Sequence, residues 1–237
     1  VPDITQLVTI LRESQLANEV VSARKIGFPL SSEAFGSSFF VDDFMYNLIP
    51  SQNWLLEGAN QTMPPDVIGG RVQVDDTGDG VRVSVCKTTN VLLPVNSPNE
   101  VIVRFRSKQV IDNLNTHQFI GLFGVLPSGN PLVNPLDAVF FRASAGGTAV
   151  NWEAVTRALN VESSQATSVQ ADLDTDHVYE IEIINNIAQF FIDGLLEATI
   201  TTNIPTAGLR LAVGAIGRNV TPFGVQLDSA LIWNSRQ

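Results

Sequence analysis

Val178 to Ile200 reads VYEIEIINNIAQFFIDGLLEATI. Tyr179, Ile181 and Ile183 alternate with Glu180 and Glu182, a period of two that makes one face of a strand apolar and the other wet. Asn185-Asn186 follows, and asparagine tolerates the left-handed backbone that tight hairpins require. A second apolar run, Ile187 to Ile192, returns to Asp193-Gly194, another turn pair, and a third short strand leaves through Leu195 to Ile200. The stretch is expected to be a β-meander with one buried face. Three strands cannot cover that face alone in water, so the chain must supply an opposing sheet.

The rest of the chain has the means to do so. It has 237 residues, 44% hydrophobic and only 16% charged, enough for a sizeable core and too few charges for a disordered chain. Short apolar runs separated by turn residues recur. Val72 and Val74 are expected to pair with Val81, Val83 and Val85 across the turn Asp75 to Gly80, and Val101, Val103 and Phe105 alternate with Arg104 and Arg106. Phe119 to Val125 is interrupted by Gly121 and Gly124, a pattern of a bulge or of close backbone approach. Ala138 to Ala143 and Val150 to Ala158 form two strands joined through Gly146-Gly147. Leu209 to Ile216 and Val225 to Trp233 close the series. Pro50 to Pro65, around Trp54, and Glu162 to Asp176 read as loops. The pattern is that of an all-β sandwich, without βαβ units.

The first residues differ. Ile4, Leu7, Val8 and Leu11 fall at helical spacing after Asp3 and Gln6, which have the spacing of a capping box, and Arg24, Lys25 and Gly27 suit a helix end. Leu16 and Val20 lie on another side of the same helix. Burying the first face is worth about 1.5–3 kcal/mol per residue, so Ile4, Leu7, Val8, Leu11, Leu16 and Val20 are the expected assembly residues. The expected organisation is a helical arm over 1–27 and a sandwich domain over 28–237.

A strand ending in Phe190-Phe191-Ile192-Asp193-Gly194, followed by another strand, resembles the late hairpin of concanavalin A-like (laminin G-like) jelly-roll domains. Val225 to Trp233 is similar to their closing strand, and Val41-Asp42-Asp43-Phe44, followed by Trp54, to their opening strand. The resemblance spans Phe39 to Trp233. It implies a two-sheet antiparallel jelly-roll sandwich carrying an N-terminal α-helix.

The family includes β-glucanases, whose motif Glu-x-Asp-x-x-Glu puts acids on alternate residues of one strand. This chain has no such run; Glu180-x-Glu182 lacks the third acid and alternates towards solvent. There is no nucleophile elbow, no zinc spacing and no phosphate loop. His117 and His177 lie beside different strands, and His177 is expected in a surface turn. Cys86, the single cysteine, excludes an internal disulfide and reads as a buried thiol. Asp75, Asp76 and Asp79 cluster in one turn and Asp172, Asp174 and Asp176 in another. Both would suit calcium, although neither completes an EF-hand loop, and the expectation is no cofactor. For a saccharide, the aromatic platform would come from Trp54 or Trp152 with Asn151 and Arg157 beside it.

The formal net charge of −10 argues against nucleic acid and anionic membranes as partners. No signal peptide or membrane-spanning run is expected. Absent catalytic motifs, absent disulfides, no secretion signal and an appended helix with two apolar faces, together with the resemblance of many phage virion proteins to this fold, imply the expected function. It is a non-enzymatic virion structural or adhesion protein, a bacteriophage capsid decoration or tail or fibre component. Such a protein is made in the host cytoplasm and assembles as a homo-oligomer with other virion proteins, with surface glycans as a further partner. The alternatives are an extracellular carbohydrate-binding module or lectin and, behind it, a divergent glycoside hydrolase whose carboxylates come from distant strands.

Overall fold

The computed structural model describes residues 38–42, 54–57, 67–68, 71–76, 83–88, 93–94, 100–109, 116–124, 136–144, 150–171, 175–217 and 223–235. In chain order these form β1 (Ser38–Asp42), β2 (Trp54–Glu57), β3 (Val67–Ile68), β4 (Arg71–Asp76), β5 (Val83–Thr88), β6 (Leu93–Pro94), β7 (Glu100–Gln109) and β8 (Thr116–Phe123). They continue as β9 (Ala138–Ser144), β10 (Asn151–Ala158), β11 (Val161–Gln170), β12 (His177–Ile184), β13 (Ile187–Ile192), β14 (Leu195–Ile200), β15 (Gly208–Gly217) and β16 (Phe223–Ser235). Two antiparallel sheets result. The first runs β14-β13-β12-β7-β16-β4-β3, with β1 also on β16. The second runs β11-β10-β9-β8-β15-β5-β2, with β6 on β15. The described part is thus the expected all-β, two-sheet sandwich. The helix expected over Ile4 to Lys25, with its six assembly residues, lies outside the described residues.

The meander forms as its alternation dictates. Tyr179 pairs with Ile192, Ile181 with Phe190 and Ile183 with Ala188, and all six are buried. Glu180 and Glu182 point to the other face and are half-buried. The two turns need positive φ at both central residues, and have it: Asn185 and Asn186 at 51° and 61°, Asp193 and Gly194 at 52° and 79°. These are the backbones that match the twist of a two-residue hairpin.

The opposing sheet locks onto it through aromatic rings. Phe141 of β9 meets Phe190 edge-on at 5.2 Å and Tyr179 at 5.4 Å, and Trp152 of β10 meets Tyr179 at 5.2 Å. Edge-to-face pairs add about 0.5–1.5 kcal/mol each to the area they bury. Around them Ile120, Leu122, Val139, Leu211 and Val213 fill the layer between the sheets.

Three expectations about local structure are corrected. β4 and β5 do not form a hairpin: β4 pairs with β3 and β16 in the first sheet, and β5 with β2 and β15 in the second. Turn residues between two Val-rich runs mark a reversal of direction, which a corner between sheets satisfies as well as a hairpin. The segment from Glu162, expected as a loop, is β11 as far as Gln170, and Trp54 begins a strand. Ser and Thr in β11 are β-compatible on a wet edge, which a search for apolar alternation misses.

Candidate functional site

Alternation along β8, β9 and β10 gives the second sheet a second face, turned away from the first sheet. Phe119, Phe123, Phe140, Ala138, Val155 and Ala212 lie there, each fully buried. Phe123 packs against Phe119 at 5.3 Å and Phe140 at 5.0 Å. Phe140 lies over Gly121, whose missing side chain makes the contact possible: a Cβ there would come within 2.5 Å of the Phe140 Cα and the Val139 carbonyl oxygen. Of the two expectations for the glycine in this strand, a bulge or a close approach, Gly121 shows the close approach.

Charged side chains continue the same face. Arg142 follows Phe140 by two residues and sits directly opposite Glu153, and Arg157 sits directly opposite Glu162 on β11. Arg142 donates to Glu153 Oε2 from Nε (3.0 Å) and Nη2 (2.7 Å). Its Nη2 and Nη1 also donate to Glu162 Oε1 (2.9 Å) and Oε2 (3.3 Å). Arg157 Nη2 lies 2.9 Å from Glu162 Oε2, and the Ser164 hydroxyl donates to Glu153 Oε1 at 3.2 Å. Three adjacent strands thus bring two carboxylates to one guanidinium, Glu153 on its Nε–Nη2 edge and Glu162 on its Nη1–Nη2 edge. Burial works against the Arg142 charge, but the hydrogen bonds and attraction from Glu162 and Glu153 outweigh it, and its pKa is raised.

Chemically, the cluster offers two carboxylates on one half-buried surface, next to an aromatic patch. Each glutamate has an oxygen within 3 Å of the same nitrogen, so those oxygens are no farther apart than the two contacts laid end to end. Among the described residues no group of three or more His, Cys, Asp or Glu side chains is placed to hold a metal ion.

The expected ligand residues do not converge on this surface as a set. Trp152 points the other way, into the core, 3% exposed, and its indole N–H finds no hydrogen-bond partner. Its ring is therefore core material, and no sugar platform is available from it. Asn151 is exposed and donates to the Thr167 carbonyl oxygen at 2.9 Å. Arg157 does belong to the cluster. Trp54 opens β2, in the same sheet but beyond β15 and β5. Asp75 and Asp76 end β4 in the first sheet, and Asp79 lies outside the described residues. His177 is the first residue of β12 rather than a turn residue, and its Nδ1 is 2.7 Å from Asp193 Oδ2.

Arg142, Glu153 and Glu162 were not singled out by sequence. Each is one polar residue in an alternating strand. Only the cross-strand register, Arg142 to Glu153 and Arg157 to Glu162, brings them together.

No family model matches the chain, and no curated protein matches it. Solved structures do. The chain is similar to an endo-1,3-β-glucanase from Streptomyces sioyaensis, at 12% identity, over 85% of this chain and 98% of that one, with a TM-score of 0.61. It is similar to the catalytic domain of an endo-1,3-β-glucanase (laminarinase) from Thermotoga petrophila, at 10% identity, over 82% and 96%, with a TM-score of 0.62. It is also similar to a β-glucanase from Bacillus licheniformis, at 14% identity, over 82% and 97%, with a TM-score of 0.61. The fold is the concanavalin A-like jelly roll. These matches overturn the expectation of a non-enzymatic virion structural or adhesion protein: the three structures are glucanases, and none is a virion component.

Proposed function

We propose that the protein is a glycoside hydrolase of the jelly-roll kind, cutting within a β-linked polysaccharide, and that Glu153 and Glu162 are its reacting carboxylates. The likeness to endo-glucanases over more than four-fifths of the chain supports the class of reaction. The observation that carries the assignment is the pair of glutamates bracketing Arg142. Retaining glycosidases hold their two carboxyl groups about 5–5.5 Å apart and inverting ones about 6.5–9.5 Å. The shared Arg142 nitrogen keeps the nearest oxygens of this pair close, which favours the shorter spacing.

The roles divide by counter-charge. Glu162 has two guanidinium partners, Arg142 and Arg157, and keeps Arg157 if a sugar displaces Arg142. It is suited to remain a carboxylate and attack the anomeric carbon. Among the described residues, Glu153 has Arg142 alone as a cationic partner. Once the guanidinium moves aside, it is suited to protonate the leaving oxygen and later to deprotonate the water that releases the product. No strand carries the Glu-x-Asp-x-x-Glu run, so this site draws its carboxylates from two strands.

The test is release of reducing ends from laminarin, lichenan and mucin glycans by the wild-type chain and by Glu153→Gln and Glu162→Gln. Activity on one of these polymers, lowered about 10²–10⁴-fold in kcat by either substitution, is expected. No release from any polymer, saturable binding without release, or undiminished release by both variants would overturn the assignment.

A further inference from the structure

β11 ends the second sheet, with β10 on one side and no described strand on the other. The turn at Leu159-Asn160, both with positive φ, makes Ala158 and Val161 a hydrogen-bonded pair. Alternation then makes Glu162–Arg157, Ser164–Val155 and Ala166–Glu153 non-hydrogen-bonded pairs. The backbone N–H and C=O groups of Glu162, Ser164 and Ala166 therefore point away from the sheet, and no other described strand takes them.

Edges of this kind are normally blunted by lysine, proline, a bulge or a covering side chain. The second half of β11 is blunted in this way. Its register breaks between Ala166 and Gln170, and the Glu197 carboxylate accepts from the Ser168 N–H at 2.7 Å and from its hydroxyl at 2.8 Å. The first half, Val161 to Ala166, has neither lysine nor proline. Its one acid, Glu162, is already neutralised by Arg142 and Arg157. Ser164, Gln165 and Ala166 are exposed, and at the same end of the strand Leu136, Leu159 and Val161 are 57%, 81% and 58% exposed.

We propose that this edge is the interface of a homodimer, in which β11 pairs antiparallel with β11 of a second copy about a two-fold axis through Ser164. The register is self-complementary. Ser164 faces the partner's Ser164, Glu162 faces the partner's Ala166, and Ala166 faces the partner's Glu162, so the only acid on the edge meets no like charge. The three outward residues of each copy exchange about six backbone hydrogen bonds. The bulge after Ala166 ends the ladder and fixes its register. An axis perpendicular to the sheet joins the two second sheets into one and puts both Arg142 clusters on the same face, whatever they bind.

Sedimentation equilibrium of the full chain tests this. The wild type is expected at about twice the single-chain mass of 25.7 kDa, falling towards it on dilution. Ser164→Pro removes only the outward N–H, because the residue makes no ladder bond to Val155, and should give single-chain mass. Ser164→Lys sets two ammonium groups face to face across the axis and should also give single-chain mass at low salt. Leu195→Lys, at the start of β14 in the first sheet and outside the proposed ladder, should leave the dimer intact. Hydrogen exchange needs no variant: the amides of Glu162, Ser164 and Ala166 should be protected at high concentration and lose protection on dilution. A wild type of single-chain mass at every concentration, a dimer retained by both folded Ser164 variants, or exchange at those amides independent of concentration would overturn the proposal.

Discussion

Gly121 and Phe140 are directly opposed on β8 and β9, so close that a Cβ on Gly121 would lie 2.5 Å from the Phe140 Cα. The contact is backbone against backbone, and no side-chain rotation relieves it. It seats Phe140 in the aromatic patch and so sets the starting point from which Arg142, two residues on, reaches the glutamates. Gly121→Ala is expected to cost about 1–3 kcal/mol or more by forcing the strands apart, read as a lower denaturant midpoint with an unchanged m-value.

Trp152 is a structural residue in this account. Its ring closes the core against Tyr179 and is 3% exposed. Trp152→Ala is expected to cost about 3–5 kcal/mol. A saccharide should bind the surviving folded fraction as it binds the wild type, measured by calorimetry with the folded fraction known.

The Arg142 network should behave as one unit. Arg142→Ala leaves two half-buried carboxylates facing each other and is expected to cost about 1–3 kcal/mol. Adding Glu162→Gln should restore part of that loss, so a double-mutant cycle should show coupling of about 0.5–3 kcal/mol. Because the Arg142 pKa is raised in the fold, its share of the stability is fully present below the ordinary guanidinium value and is lost only as pH rises beyond it. Unfolding measured between neutral pH and pH 9 should therefore show no step from Arg142.

Glu197 ties the edges of the two sheets together by accepting both the backbone N–H and the hydroxyl of Ser168. Nearby, Thr202 accepts the Thr156 hydroxyl through its carbonyl oxygen, and Asn203 donates to Ser163. Glu197→Ala is expected to cost about 1 kcal/mol and to speed hydrogen exchange at Ser168 while leaving β9 amides protected.

The parts of the fold legible in sequence are those with a local cause. Tyr179, Ile181 and Ile183 alternate, and Asn185-Asn186 and Asp193-Gly194 can adopt positive φ, so β12 to β14 follow from residues within a few positions of one another. β4 and β5 carry the same local signals as a hairpin and still part into different sheets, because the choice is made by β16 and β15, far along the chain. Trp152 shows the same limit at the level of one residue. Lying between Asn151 and Glu153 it alternates as an inward residue does, but an aromatic with polar neighbours also suits a sugar platform, and the burial along β10 decides for the core. The glutamate pair is less legible still, since it exists only in the register of three strands.

Those two glutamates carry the central claim. The most direct measurement is reducing-end release from laminarin by the wild-type chain, Glu153→Gln and Glu162→Gln, with folding checked by circular dichroism. The account predicts turnover by the wild type and a loss of about 10²–10⁴-fold in kcat in each folded variant, with KM little changed. Wild-type turnover that both folded variants retain would contradict it.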